Sequence, residues 1–151
     1  MPPQNIRKEI GTKIKKEMSH LPNYFVVDNS KLISHLSLWH MKTSKRNIEK
    51  IAEELKKVVK NQKSIKITSS EFHALKKFKG CLEFTTKENK NLVIFRQKVF
   101  EKVCSYKTGI MPQFASFLKI KYSKEKLKEI KKYGRSLGFH PHFTMGWLKN
   151  E

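Results

Sequence analysis

An α+β fold in one domain is what this sequence predicts, on three observations. Segments of helical period and segments of strand period are interleaved along the 151 residues, with no low-complexity run and no long linker between them. The length is that of one domain and is enough to bury a core. A short apolar, aromatic-rich strand beside a helix occurs twice, once towards each end, which is compatible with an internally duplicated architecture.

The first helix is expected over about Asn5 to Ser19, where Ile6, Ile10, Ile14 and Met18 form a narrow apolar stripe and Pro22 marks the end. Tyr24 to Val27 reads as a short strand, and Asp28-Asn29-Ser30 as a turn into a second strand within Leu32 to Met41. A long helix is expected from about Lys45 to Gln62. Ile48, Ile51, Ala52, Leu55, Val58 and Val59 make its apolar face, lysine dominates the other, and Thr43 or Ser44 can cap the start. Strands follow near Ser64 to Ser69 and Gly80 to Thr85, the latter ending in a polar turn at Lys87 to Lys90. A helix then begins near Asn91 with Leu92, Phe95, Val99 and Val103 as its stripe, and Gly109 with Pro112 closes the segment. Lys107 to Tyr122 fits neither period. The last helix is expected over Ser123 to Leu137, capped by Ser123 and stopped by Gly138, and a strand from Phe139 to Leu148 follows at once.

The two aromatic-rich strands share a pattern. His35-Leu36-Ser37-Leu38 and His142-Phe143-Thr144-Met145 each read histidine, apolar, hydroxyl, apolar. Alternate side chains of a strand point to opposite faces, so each imidazole shares a face with its hydroxyl while the apolar residues turn to a core. An imidazole beside a hydroxyl, presented twice, suits a reaction that needs one general base, one general acid and hydrogen bonds to an anion such as phosphate. The alternative is a pair of strand histidines that only hydrogen-bond within the fold.

Composition narrows the class. Net charge is +20, which raises the local concentration of polyanions and makes RNA the obvious partner. The charge comes from 29 lysines and only four arginines, although specific phosphate recognition favours the forked guanidinium. A solvated lysine surface is the plainer reading of part of it. Cys81 and Cys104 are too few and too far apart for a metal-binding pair or a disulfide framework. Met1 to Met18 has charges every few residues and no apolar run of signal-peptide or membrane-span length, so a cytoplasmic monomer with no membrane contact is expected. No glycine-rich phosphate loop, GxSxG elbow or Cys-His nucleophile pattern is present.

A strand reading HLSLWHM with a helix directly after it, and a late strand reading HPHFTMGWL preceded by Gly138-Phe139, resemble the 2H phosphoesterases. This is the 2′-5′ RNA ligase-like or cyclic phosphodiesterase family, marked by two H-x-S/T-x motifs. The resemblance spans about Tyr24 to Lys149. It implies a bilobal α+β fold of two pseudo-duplicated antiparallel sheets, with helices on the outer faces and one motif from each lobe facing a central cleft. It implies catalytic roles for His35 and His142, phosphate-binding roles for Ser37 and Thr144, and no cofactor or metal. The tail from His142 to Trp147 is also similar to the H-x-S/T-x-x-W ending of the RNA 3′-end-trimming branch of the superfamily. Two departures stand out. The motifs lie 107 residues apart, wider than in compact members, and the Ser123 to Leu137 helix fills that gap. Only nine residues follow His142, so the N-terminal helix and the Tyr24 to Val27 strand are expected to complete that lobe.

The implied chemistry agrees with the residue types. With a 2′,3′-cyclic phosphate, one histidine would deprotonate the attacking water and the other would protonate the departing ribose oxygen, roles an imidazole fills because its unperturbed pKa is about 6.5. Hydrolysis of a 2′-5′ linkage or the reverse ligation would use the same groups. Trp39 has the parity of His35 and Ser37 and either lines the cleft to stack on a base or packs in the core. His140 has the parity of His142, which opens substrate binding and, as an alternative, a zinc site built from His35, His140 and His142. With Asp28 the single aspartate, the carboxylate pairs usual in hydrolytic metal sites are missing. His20, His40 and His73 are expected at the surface or at strand ends. A noncatalytic RNA-binding or scaffold module and a histidine-based metallohydrolase remain as alternative functions.

Overall fold

A computed structural model describes residues 4–27, 35–74, 80–112, 122–135 and 137–149 of the chain. Among them are four α-helices and four strands of one antiparallel sheet, so the α+β class holds. The chain forms two compact units: Met1–Ser37 with Ile67–Glu88 and His140–Glu151, and Leu38–Lys66 with Asn89–Phe139.

The first unit holds α1 (Gln4–Met18), β1 (Asn23–Val26), β2 (Ser69–Ala74), β3 (Cys81–Thr86) and β4 (His142–Leu148). The strand order is β1-β4-β3-β2, every neighbour antiparallel. Alternation along β4 turns Phe143 and Met145 to one face and His142 and Thr144 to the other. On the apolar face, Ile14 and Met18 of α1 meet Leu82 and Met145, with Val26, Phe84, Phe143 and Leu148 packed around them. Each such side chain contributes roughly 1.5–3 kcal/mol on burial. Gly146 allows this close approach: a Cβ there would lie 2.9 Å from Met18 Cε and 3.0 Å from the Phe25 carbonyl oxygen. β1 thus pairs with the strand that carries the second motif, and α1 covers the apolar face of that sheet.

The first motif differs from expectation. Of the strand read over Leu32 to Met41, residues 32–34 lie outside the described ones, and the rest pairs at a single point, Leu36 with Phe143. β2 begins at Ser69, where the sequence placed the end of a strand read over Ser64 to Ser69. Its outermost laddered pair is Ser69 with Thr86, the last residue of β3; one further bond follows, from the Lys87 N–H to the Thr68 carbonyl at 2.9 Å, and residues 62–67 before it are not in a strand. The turn Asp28-Asn29-Ser30 also lies outside the described residues.

The second unit holds α2 (Ile48–Lys60, entered through a 3-10 turn at Lys45–Asn47), α3 (Lys90–Val103, followed by a 3-10 turn at Cys104–Tyr106) and α4 (Lys124–Tyr133). Ser44 occupies the cap before the 3-10 turn without a side-chain bond. Thr43 Oγ1 instead donates to the Tyr106 carbonyl at 2.7 Å, and Asn47 Nδ2 donates to the same oxygen. Only part of the predicted α2 stripe is covered: Ile51, Leu55 and Val58 are half-buried, whereas Ile48, Ala52 and Val59 are exposed. α3 is capped by Asn89, whose side chain accepts from the Leu92 N–H, and buries Leu92, Val99 and Val103 as expected. Arg96 joins that buried face, while Phe95 is half-buried. α4 starts at the predicted cap, Ser123 accepting from the Lys126 N–H, but ends at Gly134 rather than Gly138. Gly134 adopts φ +76° and donates its N–H to the Ile130 carbonyl, so the left-handed stop is reached four residues early. Within Lys107 to Tyr122, residues 113–121 lie outside the described ones.

Candidate active site

The site is a polar sheet face built by register. Thr85 lies opposite His142 and Glu83 opposite Thr144 across β3 and β4, and His73 lies opposite Glu83 across β2 and β3. Directly opposed residues of antiparallel strands share a face, so these side chains belong to the side away from α1. Thr85 Oγ1 is tied to β2, donating to the Glu71 carbonyl and accepting from its N–H, both at 3.3 Å.

The bridge between Leu36 and Phe143 brings the first motif to the same place. Val27 N–H donates to the Met145 carbonyl, so β1 flanks that edge of β4 down to this point, and Leu36 takes up the edge beyond it. The bridge is antiparallel and isolated; continued by one residue on each side, its register would put Ser37 near His142 and His35 near Thr144. The two motifs therefore run in opposite directions where they meet, at Leu36 and Phe143. His35 is exposed, and Ser37, His142 and Thr144 are half-buried. Trp39 belongs to the second unit. Phe100 meets its ring edge-on at 4.7 Å, and the guanidinium carbons of Arg96 and Arg135 lie 5.4 and 5.0 Å from it. Burial holds both arginines below their usual pKa, and Arg96 adds to the effect on Arg135.

Sequence reasoning missed Glu83. Its side chain is 1% exposed and lies between two imidazoles: His140 Nε2 is 2.8 Å from Oε1, and His142 Nε2 is 3.5 Å from Oε2. His142 Nδ1 lies 2.8 Å from the His140 carbonyl oxygen, which can only accept, so Nδ1 carries the hydrogen and Nε2 turns towards the carboxylate. The His140 and His142 rings stand 5.5 Å apart, side by side as their parity suggested, although His140 precedes β4. The backbone holds this corner, since Thr86 N–H donates to the carbonyl of Pro141 between the two histidines. Burial first, and then the nearby Glu83 charge, push the Cys81 thiol upward in pKa. A signal for Glu83 existed in the strand reading Cys-Leu-Glu-Phe-Thr-Thr, where a lone carboxylate shares parity with Cys81 and Thr85. Its partners, 57 and 59 positions away, were not visible there.

Of the remaining histidines, His20 and His40 are exposed, and His73 is half-buried in β2 with Nε2 3.2 Å from Glu71 Oε2. No described helix is long and apolar enough to cross a membrane. Searches for related family models, curated proteins and solved structures find no match to this chain.

Proposed function

We propose that the protein is a metal-independent phosphodiesterase acting on RNA ends or nucleotides, on a 2′,3′-cyclic phosphate or a 2′-5′ linkage, by two-histidine acid and base catalysis. The observation that supports this best is the antiparallel bridge between Leu36 of the first motif and Phe143 of the second. In the proposed reaction on a cyclic phosphate, a water oxygen attacks phosphorus and one bridging ribose oxygen leaves. One imidazole, of His35 or His142, takes the water proton, and the other supplies a proton to the departing oxygen. Ser37 and Thr144 donate to nonbridging oxygens whose charge grows in the transition state. Glu83 orients the His140 and His142 rings from a buried position. The net charge of +20 favours an RNA chain as substrate. The reading includes the two-lobed, pseudo-duplicated arrangement around a cleft that the resemblance implies; the described strands account for one antiparallel sheet.

The test is incubation of the full chain with a 2′,3′-cyclic nucleotide, with and without EDTA. Turnover that survives the chelator is expected. Turnover lost to EDTA would replace the proposal by a metallohydrolase, and RNA binding without any turnover would replace it by a noncatalytic module.

A further inference from the structure

We propose that Glu83, His140 and His142 form a binding site for a divalent transition-metal ion of the zinc type. Each residue offers one ligand atom, and the three atoms lie within 4.8 Å of one another. A tetrahedral ion with bonds of about 2.1 Å sets neighbouring ligand atoms roughly 3.4 Å apart. The observed edges of 2.8 Å from Glu83 to His140 and 3.5 Å from Glu83 to His142 stand on either side of that value. The third edge, between the two imidazole nitrogens, is no longer than 4.8 Å, so adjustments of side-chain rotamer size bring the three atoms around an ion.

Three further observations point to a cation. First, the His142 Nδ1–H bond to the His140 carbonyl directs the other ring nitrogen, Nε2, at Glu83 Oε2, 3.5 Å away. An outer N–H bonded to a backbone carbonyl is also the usual support of a metal-ligating histidine. Second, Glu83 is 1% exposed, and its described ion pairs are with imidazoles alone in a chain that has 33 lysines and arginines. A buried carboxylate needs compensating positive charge, which a metal ion supplies. Third, the His140 side chain is 65% exposed, which gives an ion and its completing water ligands a route from solvent. Two imidazoles and one carboxylate favour zinc, cobalt, nickel or copper over magnesium or calcium, which prefer all-oxygen sites. The ligand set differs from the zinc alternative read in the sequence, Glu83 taking the place given there to His35.

The consequence rests on the proposed function. A metal bound at this site occupies Nε2 of His142, the nitrogen needed for proton transfer, so it inhibits the metal-independent reaction.

The experiment uses the full chain without a polyhistidine tag. Cobalt(II) binding is followed by calorimetry and by visible absorption, with zinc as competitor and magnesium as control. One cobalt per chain is expected, displaced by zinc and unaffected by millimolar magnesium. His140→Ala, at an exposed side chain, and Glu83→Gln, close in shape, are each expected to lower cobalt affinity at least about tenfold, with circular dichroism checking the fold. Absence of cobalt binding, or equal binding by the wild type and both variants, overturns the site. Cyclic-nucleotide turnover is then measured with zinc. Inhibition reversed by EDTA supports the consequence, and unchanged turnover at saturating zinc overturns it. A protein that binds cobalt but turns over no substrate under any condition refutes the proposed function and leaves the metal site standing.

Discussion

Each residue of the candidate site makes a separate demand on the proposed reaction. One acid and one base act in the same transition state, so His35→Ala and His142→Ala are each expected to lower turnover of a 2′,3′-cyclic nucleotide about 100-fold or more. Near-wild-type rates in either variant would remove that residue from the mechanism. Ser37→Ala and Thr144→Ala each delete one hydrogen bond to a charged oxygen, worth about 1.5–3 kcal/mol, so a loss of roughly 10- to 100-fold is expected from each. Arg96 makes a demand on stability instead. Its residue is 8% exposed, Nη2 donates to the Leu137 carbonyl at 2.7 Å, and its guanidinium lies over the Trp39 and Phe139 rings. Arg96→Met keeps the packing but removes the charge-assisted bond and both ring contacts, and is expected to cost about 2–3 kcal/mol in urea unfolding. Arg96→Lys recovers little, because an ammonium cannot reproduce the planar stacking. A loss under 0.5 kcal/mol for Arg96→Met would show that these contacts are idle.

At the scale of elements, the helices were largely legible and the strands less so. Caps and stripes are local, and Ser123 and the Leu92, Val99 and Val103 face lie where the sequence put α4 and α3. Besides the first-motif strand, which pairs only at Leu36, two errors of placement have physical causes. β2 was read too early because strands exist only where a partner continues beside them, and β3 ends at Thr86, opposite Ser69, with a single further bond from the Lys87 N–H to the Thr68 carbonyl. The end of α4 was assigned to Gly138, although Gly134 takes the left-handed conformation first. Gly134→Ala therefore costs about 2 kcal/mol or more, since φ is +76° and a Cβ would lie 2.5 Å from the Gly109 carbonyl oxygen. Gly138→Ala is expected to change stability by less than about 0.5 kcal/mol. Chemical denaturation of the two variants checks the assignment, and a larger loss at Gly138 would overturn it.

At the scale of the whole molecule, the open matter is what a charge of +20 does. If RNA tracks across the protein, affinity for a strand of about ten nucleotides falls with salt at a log-log slope of about −0.7 per phosphate contacted, while turnover of a cyclic mononucleotide hardly responds. A marked difference between the two substrates is expected, and equal salt sensitivity would mean a small natural substrate and a merely solvated lysine face. Lys56 and Lys57 each hold a glutamate of their own helix, at 2.6 Å from Glu53 and Glu54. Charge reversal is therefore informative at Lys50, Lys60 and Lys63, where it is expected to weaken RNA binding and flatten the slope. The sequence by itself determined the α+β class, most helix positions, the charge and both histidine motifs, because periodicity, caps and composition are properties of neighbouring residues. Only the tertiary structure decided that Leu36 meets Phe143 and that Glu83 is buried between His140 and His142. Strand order and register join positions up to about a hundred residues apart, and no local pattern specifies which strand lies beside which.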